Sequence, residues 1–314
     1  MSRQAYYKPH ADIFAELAGE EIIVQYIKDV RQENPGMGIE KLWIMYCNAT
    51  GDSSVGRDKF YQIANDYGLK LRLKRRKPRT TDSNHGFRKY PNKVKNTIPD
   101  EPNQIWVADI TYIVILQPDS NGRERFAYLS LIMDSYTKEV VGHCLCETLS
   151  TEGPMEALEN ALKRIEGKND IHLIHHSDRG IQYASEAYTH VLKQHGIEIS
   201  MTESGDPKDN AQAERLNNTL KNELLKDKRF ASIDEAREAI GKAVDFYNSR
   251  RPHRSLDMMT PCQAAGMSGE IPKRWDSQRE KYIREGIQAP QGFFVSSEPA
   301  GSDETKNPMV ANQI

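Results

Sequence analysis

The chain has 314 residues and a net charge of −2, with a pI near 6.5. That length suffices for about two domains with a sizeable core, and the near-neutral balance excludes a uniformly basic nucleic-acid binder. Cys47, Cys144, Cys146 and Cys262 are too few and scattered for a disulfide scaffold, and no apolar run is long enough for a signal peptide or membrane span, so a reducing cytoplasm is expected.

The first helical pattern precedes Pro35, with Ile22, Ile23, Tyr26, Ile27 and Val30 as its apolar stripe. Two shorter helices are predicted over Ile39 to Asn48 and Arg57 to Asp66, separated by Ala49-Thr50-Gly51-Asp52-Ser53-Ser54. Gly51 suits a C-terminal cap, and Ser53 or Ser54 an N-cap. The pair reads as a helix-turn-helix, with Arg57, Lys59 and the run Lys74-Arg75-Arg76-Lys77 as candidate DNA contacts. The alternative is a helical hairpin that only packs on the core. Between Lys70 and Lys95 there are eleven Lys or Arg and one acid, Asp82, and the stretch from Pro78 to Pro102 lacks apolar periodicity. It is read as a basic linker able to touch phosphates.

Three strand signals follow, Ile105 to Leu116, Arg125 to Asp134 and Glu139 to Glu147, joined at Asn121-Gly122 and at Ser135-Tyr136-Thr137-Lys138. Then come a helix from Thr151 to Ile165, a strand from Ile171 to His175, a helix from Ser185 to His195 and a strand from Ile197 to Met201. From Asp209 to Leu224 a helical pattern puts Leu216, Leu220 and Leu224 on one stripe and Glu214, Asn217, Asn218 and Lys221 on another face. Asn210 is the candidate cap of that helix. A last core helix, Ser232 to Tyr247, carries Ile233, Ala236, Ile240, Val244 and Tyr247 inward and is terminated before Pro252. Beyond Gln291 the composition is that of a disordered tail, apart from Phe293-Phe294-Val295. The expected domains are 1–77, helical and DNA-binding; 78–102, the linker; 103–265, an α/β core with a mixed five-stranded sheet; and 266–314, a partly disordered extension.

Three acids stand out by their surroundings. Asp109 interrupts the β-rich run Ile105-Trp106-Val107-Ala108-Asp109-Ile110-Thr111, where an unpaired charge is costly to bury and a metal would offset the cost. Asp178 ends the short apolar run of Leu173-Ile174-His175-His176-Ser177-Asp178-Arg179-Gly180, and Glu214, separated from it by thirty-five residues, lies on the helix. Three such carboxylates can hold two divalent ions about 3.5–4 Å apart against a phosphodiester, and an all-oxygen donor set suits Mg²⁺. His143-Cys144-Leu145-Cys146 hints at zinc, but strand alternation splits neighbours between faces and no second ligand pair stands at zinc-finger spacing, so it reads as core. His175, His176 and His253 are read as structural or substrate-positioning, since a two-metal mechanism requires no histidine base.

The segments WVADITYI, HSDRGIQY, DNAQAERLNNTLKNEL and YNSRRPHRSLDMMTP, in this order, resemble the signature blocks of integrase-core DDE transposases, and more narrowly the second-reading-frame protein of the IS-three family of bacterial insertion sequences. The resemblance spans roughly Gly36 to Pro261. It implies an RNase H-like fold in which the first and fourth strands lie side by side, with Asp109, Asp178 and Glu214 as the catalytic, metal-binding triad. Two Mg²⁺ ions, or Mn²⁺ in their place, would serve DNA cleavage at the element's ends and strand transfer by a 3′-hydroxyl. Lys221, seven positions after the glutamate, matches the family's basic residue, and Arg215, Arg251 and His253 are further candidate DNA contacts. The resemblance also implies a homodimer or larger synaptic assembly, a first-reading-frame partner, and a cytoplasmic, nucleoid-associated protein with no membrane association. A ribonuclease of the same fold would leave the N-terminal helices and basic linker unexplained; a retroviral-type integrase would require a His/Cys zinc domain for which the spacing is lacking.

Overall fold

The computed structural model describes residues 3–51, 54–71, 86–116, 125–167, 172–203, 210–272 and 278–285. Lys74, Arg75, Arg76 and Lys77, the Asn121-Gly122 turn, Ser53 and the Phe293-Phe294-Val295 triplet lie outside these residues. Residues 1–275 form one compact unit; the helix α10, Gln278–Glu285, belongs to a second.

Helix α1 spans Arg3–Glu33, α2 Ile39–Thr50 and α3 Arg57–Asp66. Ile23, Ile27 and Val30, at helical spacing, are buried, and Tyr26 packs edge-on against Tyr46, which in turn meets Phe60. Ile22, expected in the stripe, is 60% exposed instead, because the buried face is centred one residue further on. Gly51 closes α2 with φ 68° and donates its N–H to the Cys47 carbonyl, a conformation that favours glycine. The N-cap of α3 is Gly56 and not Ser54; the intervening turn is held by Trp43, whose indole N–H donates to the Val55 carbonyl at 2.9 Å.

The sheet has five strands, β1 Ile105–Ile115, β2 Arg125–Asp134, β3 Val140–Cys146, β4 Ile174–Ser177 and β5 Glu198–Met201, in the order β3-β2-β1-β4-β5. β1, β2 and β3 pair antiparallel, whereas β4 runs parallel to β1 and β5 parallel to β4. This mixed order is the expected RNase H-like arrangement, and it puts the first and fourth strands side by side. β4 begins and ends later than its apolar pattern predicts. His175 and His176 continue the strand because each finds a partner, the Tyr188 hydroxyl and the Ser200 hydroxyl, both at 2.9 Å, which removes the usual cost of burying an imidazole. Burial, followed by the charge of His176, takes the pKa of His175 down to about 3, so it is neutral.

Strand alternation sends side chains to two cores. Trp106, Ala108 and Ile132 face α4 (Glu152–Leu162) and α6 (Glu186–Gln194), which follows the short α5 (Ile181–Ala184). Ile105, Val107, Ile113 and Ile115 face the other side, with Leu216, Leu220 and Leu224 of the helix after β5 and Ile233, Ala236 and Ile240 of α8, Ile233–Ser249. The second core is continuous with the α1–α3 core, so the N-terminal helices are packed onto the sheet unit. The second half of the expected linker is likewise packed: the Lys93 N–H donates to Ser200 Oγ at 2.9 Å, Met201 N–H donates to the Pro91 carbonyl, and Val94 is buried. These residues cover the exposed edge of β5. Residues 256–271, which include the short helix α9, Pro261–Ala264, fold back to form a third small cluster with Tyr136.

Candidate active site

Asp109 lies on the β1 face that looks toward the helix α7, Ala211–Thr219, which continues as one π turn over Leu220–Leu224. The amide of Asn217 donates to Asp109 Oδ2 at 2.6 Å. Two residues along the same face of β1, Thr111 Oγ1 accepts from Lys221 Nζ at 3.1 Å. Asp178 follows the last residue of β4 directly and accepts the Gly180 N–H on Oδ1 at 2.9 Å, a turn that fixes the carboxylate at the strand end. Glu214 projects, exposed, from the first turn of α7.

The structure therefore brings together three acids that the sequence separates, and their fields show it. The pKa of Asp109 is pushed up to about 8, first by burial, then by the negative charge of Asp178 and also that of Glu214, against opposing hydrogen bonds from the Ile110 backbone and Asn217. Asp134 is an informative contrast. It is also buried, but it accepts N–H groups from Asn103, Tyr136 and Thr137 together with the Thr137 hydroxyl, and so serves the β2–β3 turn. Asp109 sits instead among like charges, an arrangement that a cation stabilises.

The residues fit a divalent cation. All donors are oxygens, the set preferred by Mg²⁺. The Tyr183 hydroxyl is buried without a hydrogen-bond partner among the described residues, as is Asn217 Oδ1, and the charges of Asp109 and Asp178 bear on that phenol, whose pKa is raised by burial, Tyr188 and then these acids.

Sequence reasoning passed over Asn217 as the partner of Asp109, although its position three residues after Glu214 puts it on the same helical face. Asn218 is exposed and accepts from the Asn222 amide at 3.2 Å. Asn210 occupies the cap position of α7 but makes no capping bond; its amide donates to the Ala108 carbonyl at 2.9 Å, tying the helix start to β1 beside Asp109. Gln212 accepts from Ser135 Oγ and Lys138 Nζ, both at 3.0 Å, and secures the same end to the β2–β3 turn.

The other candidate contacts divide. Arg215 is exposed near the acids. Arg57 is exposed and paired with Asp58, and Lys59 bonds Glu20 of α1 at 2.9 Å. Arg251 and His253 correct the expectation of DNA contact, because both are buried. Arg251 donates through Nε and Nη2 to the two oxygens of Glu223, each at 2.8 Å, and through Nη1 to His253 Nε2 at 3.0 Å. Burial first, then the charges of Arg251, Lys41 and Lys138, hold the His253 pKa well below its ordinary value, so it is a neutral acceptor. Glu223 also receives Lys41 at 3.1 Å and Asn34 at 3.2 Å, both from the N-terminal helical region. The π turn allows this: Leu225 N–H reaches back to Leu220 O, and the extra residue lets Lys221 face β1 while Glu223 faces Arg251.

An integrase core domain model matches residues 99–207 and a second integrase core domain model residues 195–261. The insertion element IS600 31 kDa protein of Shigella sonnei is 38% identical over 66% of this chain and 74% of its own length. The transposase for insertion sequence element IS629 of Shigella sonnei is 32% identical over 76% of this chain and 77% of its own. Among solved structures, the HTLV-2 integrase catalytic core in complex with magnesium has a TM-score of 0.38 and 20% identity, covering 52% of this chain and 97% of that one. With the acids converging on a sheet of this order and relatives at this identity spanning three quarters of their length, the chain belongs to the integrase-core DNA transposases of bacterial insertion elements.

Proposed function

We propose that Asp109, Asp178 and Glu214 are the DDE triad of a two-metal transposase of the IS-three family, which cleaves DNA at the ends of its element and joins the freed 3′-hydroxyl to a target. The convergence of the three acids from β1, the end of β4 and α7, with the Asp109 pKa raised by burial and further by the charges of Asp178 and Glu214, is the observation that carries this reading. Asp109, Asp178 and Glu214 would together hold two Mg²⁺ ions through their carboxylate oxygens. Bound there, the ions would activate the attacking oxygen and stabilise the leaving one, and Mn²⁺ would serve in their place.

The protein's own groups do the rest. Asn217 orients Asp109, the Asn210 bond to β1 fixes the height of α7, and Lys221 holds a phosphate beside the acids. Arg215, Arg57 and Lys59 extend the contact along DNA, and the segment from Lys74 to Lys77 adds charge between the two DNA-facing parts. Two DNA ends must be held together, which favours a homodimer or larger assembly, with a first-reading-frame protein as a further partner.

The test is Mg²⁺-dependent cleavage and joining of DNA carrying the element's own ends, with wild type beside Glu214→Gln. Cleavage should fall to background in the variant while end binding in a gel-shift assay is retained. Undiminished cleavage by Glu214→Gln would remove that residue from the triad.

A further inference from the structure

We propose that Cys144, Cys146 and Glu156 form a second metal site, separate from the carboxylate centre, that takes a thiophilic divalent cation such as Zn²⁺. The two cysteines stand two apart on β3, so their side chains leave the same face of the sheet, and their sulfurs are 3.5 Å apart. Glu156, in the second turn of α4, supplies a carboxylate oxygen, and the three ligand atoms all lie within 4.8 Å of one another. The third donor comes from the next element and not from a finger-like repeat, which is why spacing alone conceals it.

The donors are held in place by close packing. A Cβ at Gly142 of β3 would come within 2.1 Å of the Ala157 carbonyl, and one at Gly153 would sit 3.3 Å from Cys146 Sγ, so α4 rests directly on the strand. Tetrahedral Zn²⁺ with bonds of about 2.3 Å to sulfur requires two sulfurs about 3.8 Å apart, a few tenths of an ångström from the spacing present. A disulfide suits the pair less well. Alternate residues of an extended strand are separated by about 6.7 Å, at the outer limit for that bond, and closing it would pull on a strand paired to β2 at Ser130↔Cys144 and Tyr128↔Cys146.

Cys144 is buried, Cys146 half-buried and Glu156 exposed, which gives an ion an approach from solvent and one sheltered ligand. On binding, both thiols lose their protons to solvent, and two thiolates with one carboxylate face a charge of +2; a water completes the tetrahedron. Sulfur ligands select Zn²⁺ over Mg²⁺, so this site and the all-oxygen centre would take different ions. The bound ion would pin the edge strand β3 to α4.

Co²⁺ titration of the full chain, purified free of metal, tests the site. One Co²⁺ per chain should show thiolate charge-transfer absorption with tetrahedral d–d bands, both displaced by one equivalent of Zn²⁺. Cys144→Ser and Cys146→Ser should each abolish the thiolate band, and Glu156→Gln should weaken binding by about tenfold or more, since even outer-shell partners contribute that much. Cys47→Ser, Cys262→Ser and Asp109→Asn should leave the band intact. Should Cys144→Ser unfold the chain, the half-buried Cys146→Ser still decides. Absence of a thiolate band in the folded wild type, or its survival in Cys146→Ser, overturns the proposal.

Discussion

Replacing Arg251 by Met tests whether the buried ion cluster locks the N-terminal helices to the end of α7. The Arg251 and Glu223 side chains are 7% and 14% exposed and share two charge-assisted bonds of 2.8 Å, a setting in which removing one partner costs about 3–5 kcal/mol. Lys41, 3.1 Å from Glu223, and Asn34 remain, so the expected loss for Arg251→Met is near the lower end, about 3 kcal/mol, or about 6–12 °C in Tm for a unit of this size. Glu223→Met should cost more, because it leaves both Arg251 and Lys41 buried without their carboxylate. Replacing both residues by Met should cost well under the sum of the singles, with a coupling of about 2 kcal/mol or more. Urea unfolding followed by tryptophan fluorescence, with Trp43 in the helical part and Trp106 in the sheet, reads the whole cycle. Single changes that add to within about 0.5 kcal/mol would refute the argument, since independent residues behave in that way.

The pKa of Asp109, raised from 3.8 to about 8, makes a prediction of opposite sign to that of an ordinary salt-bridged acid. Between these values the folded chain holds a proton that the unfolded chain has lost, so stability in EDTA should fall as pH rises from about 4 to about 8, by up to several kcal/mol. Asp109→Asn should flatten that slope and Mg²⁺ should restore stability to the wild type at pH 8; equal slopes for the two proteins in EDTA would contradict the field described for Asp109. Gly36→Ala should destabilise the chain by about 1–3 kcal/mol or more, because its Cβ would fall 2.1 Å from Glu223 Cα. An unchanged urea midpoint would mean that the loop does not press on the π turn.

The sequence by itself carried the element types, because the β-rich apolar runs of β1 to β3 and the helical spacing of Leu216, Leu220 and Leu224 or of Ile233, Ala236, Ile240 and Val244 are local signals of burial. It also singled out Asp109, since a carboxylate in an apolar strand is conspicuous through its burial cost alone. Only the tertiary structure decided what depends on residues distant in the chain: that β4 extends through His175 and His176 because Tyr188 and Ser200 satisfy them, and that Asn217 serves Asp109. The same holds for Arg251 and His253, whose cationic and polar chemistry looks equally suited to DNA until Glu223 is seen beside Arg251, and for Cys144 and Cys146, whose third donor arrives on α4. Periodicity reports whether a side chain points inward, whereas its partner there is set by how the strands and helices are stacked, and that information is not local to any segment of the chain.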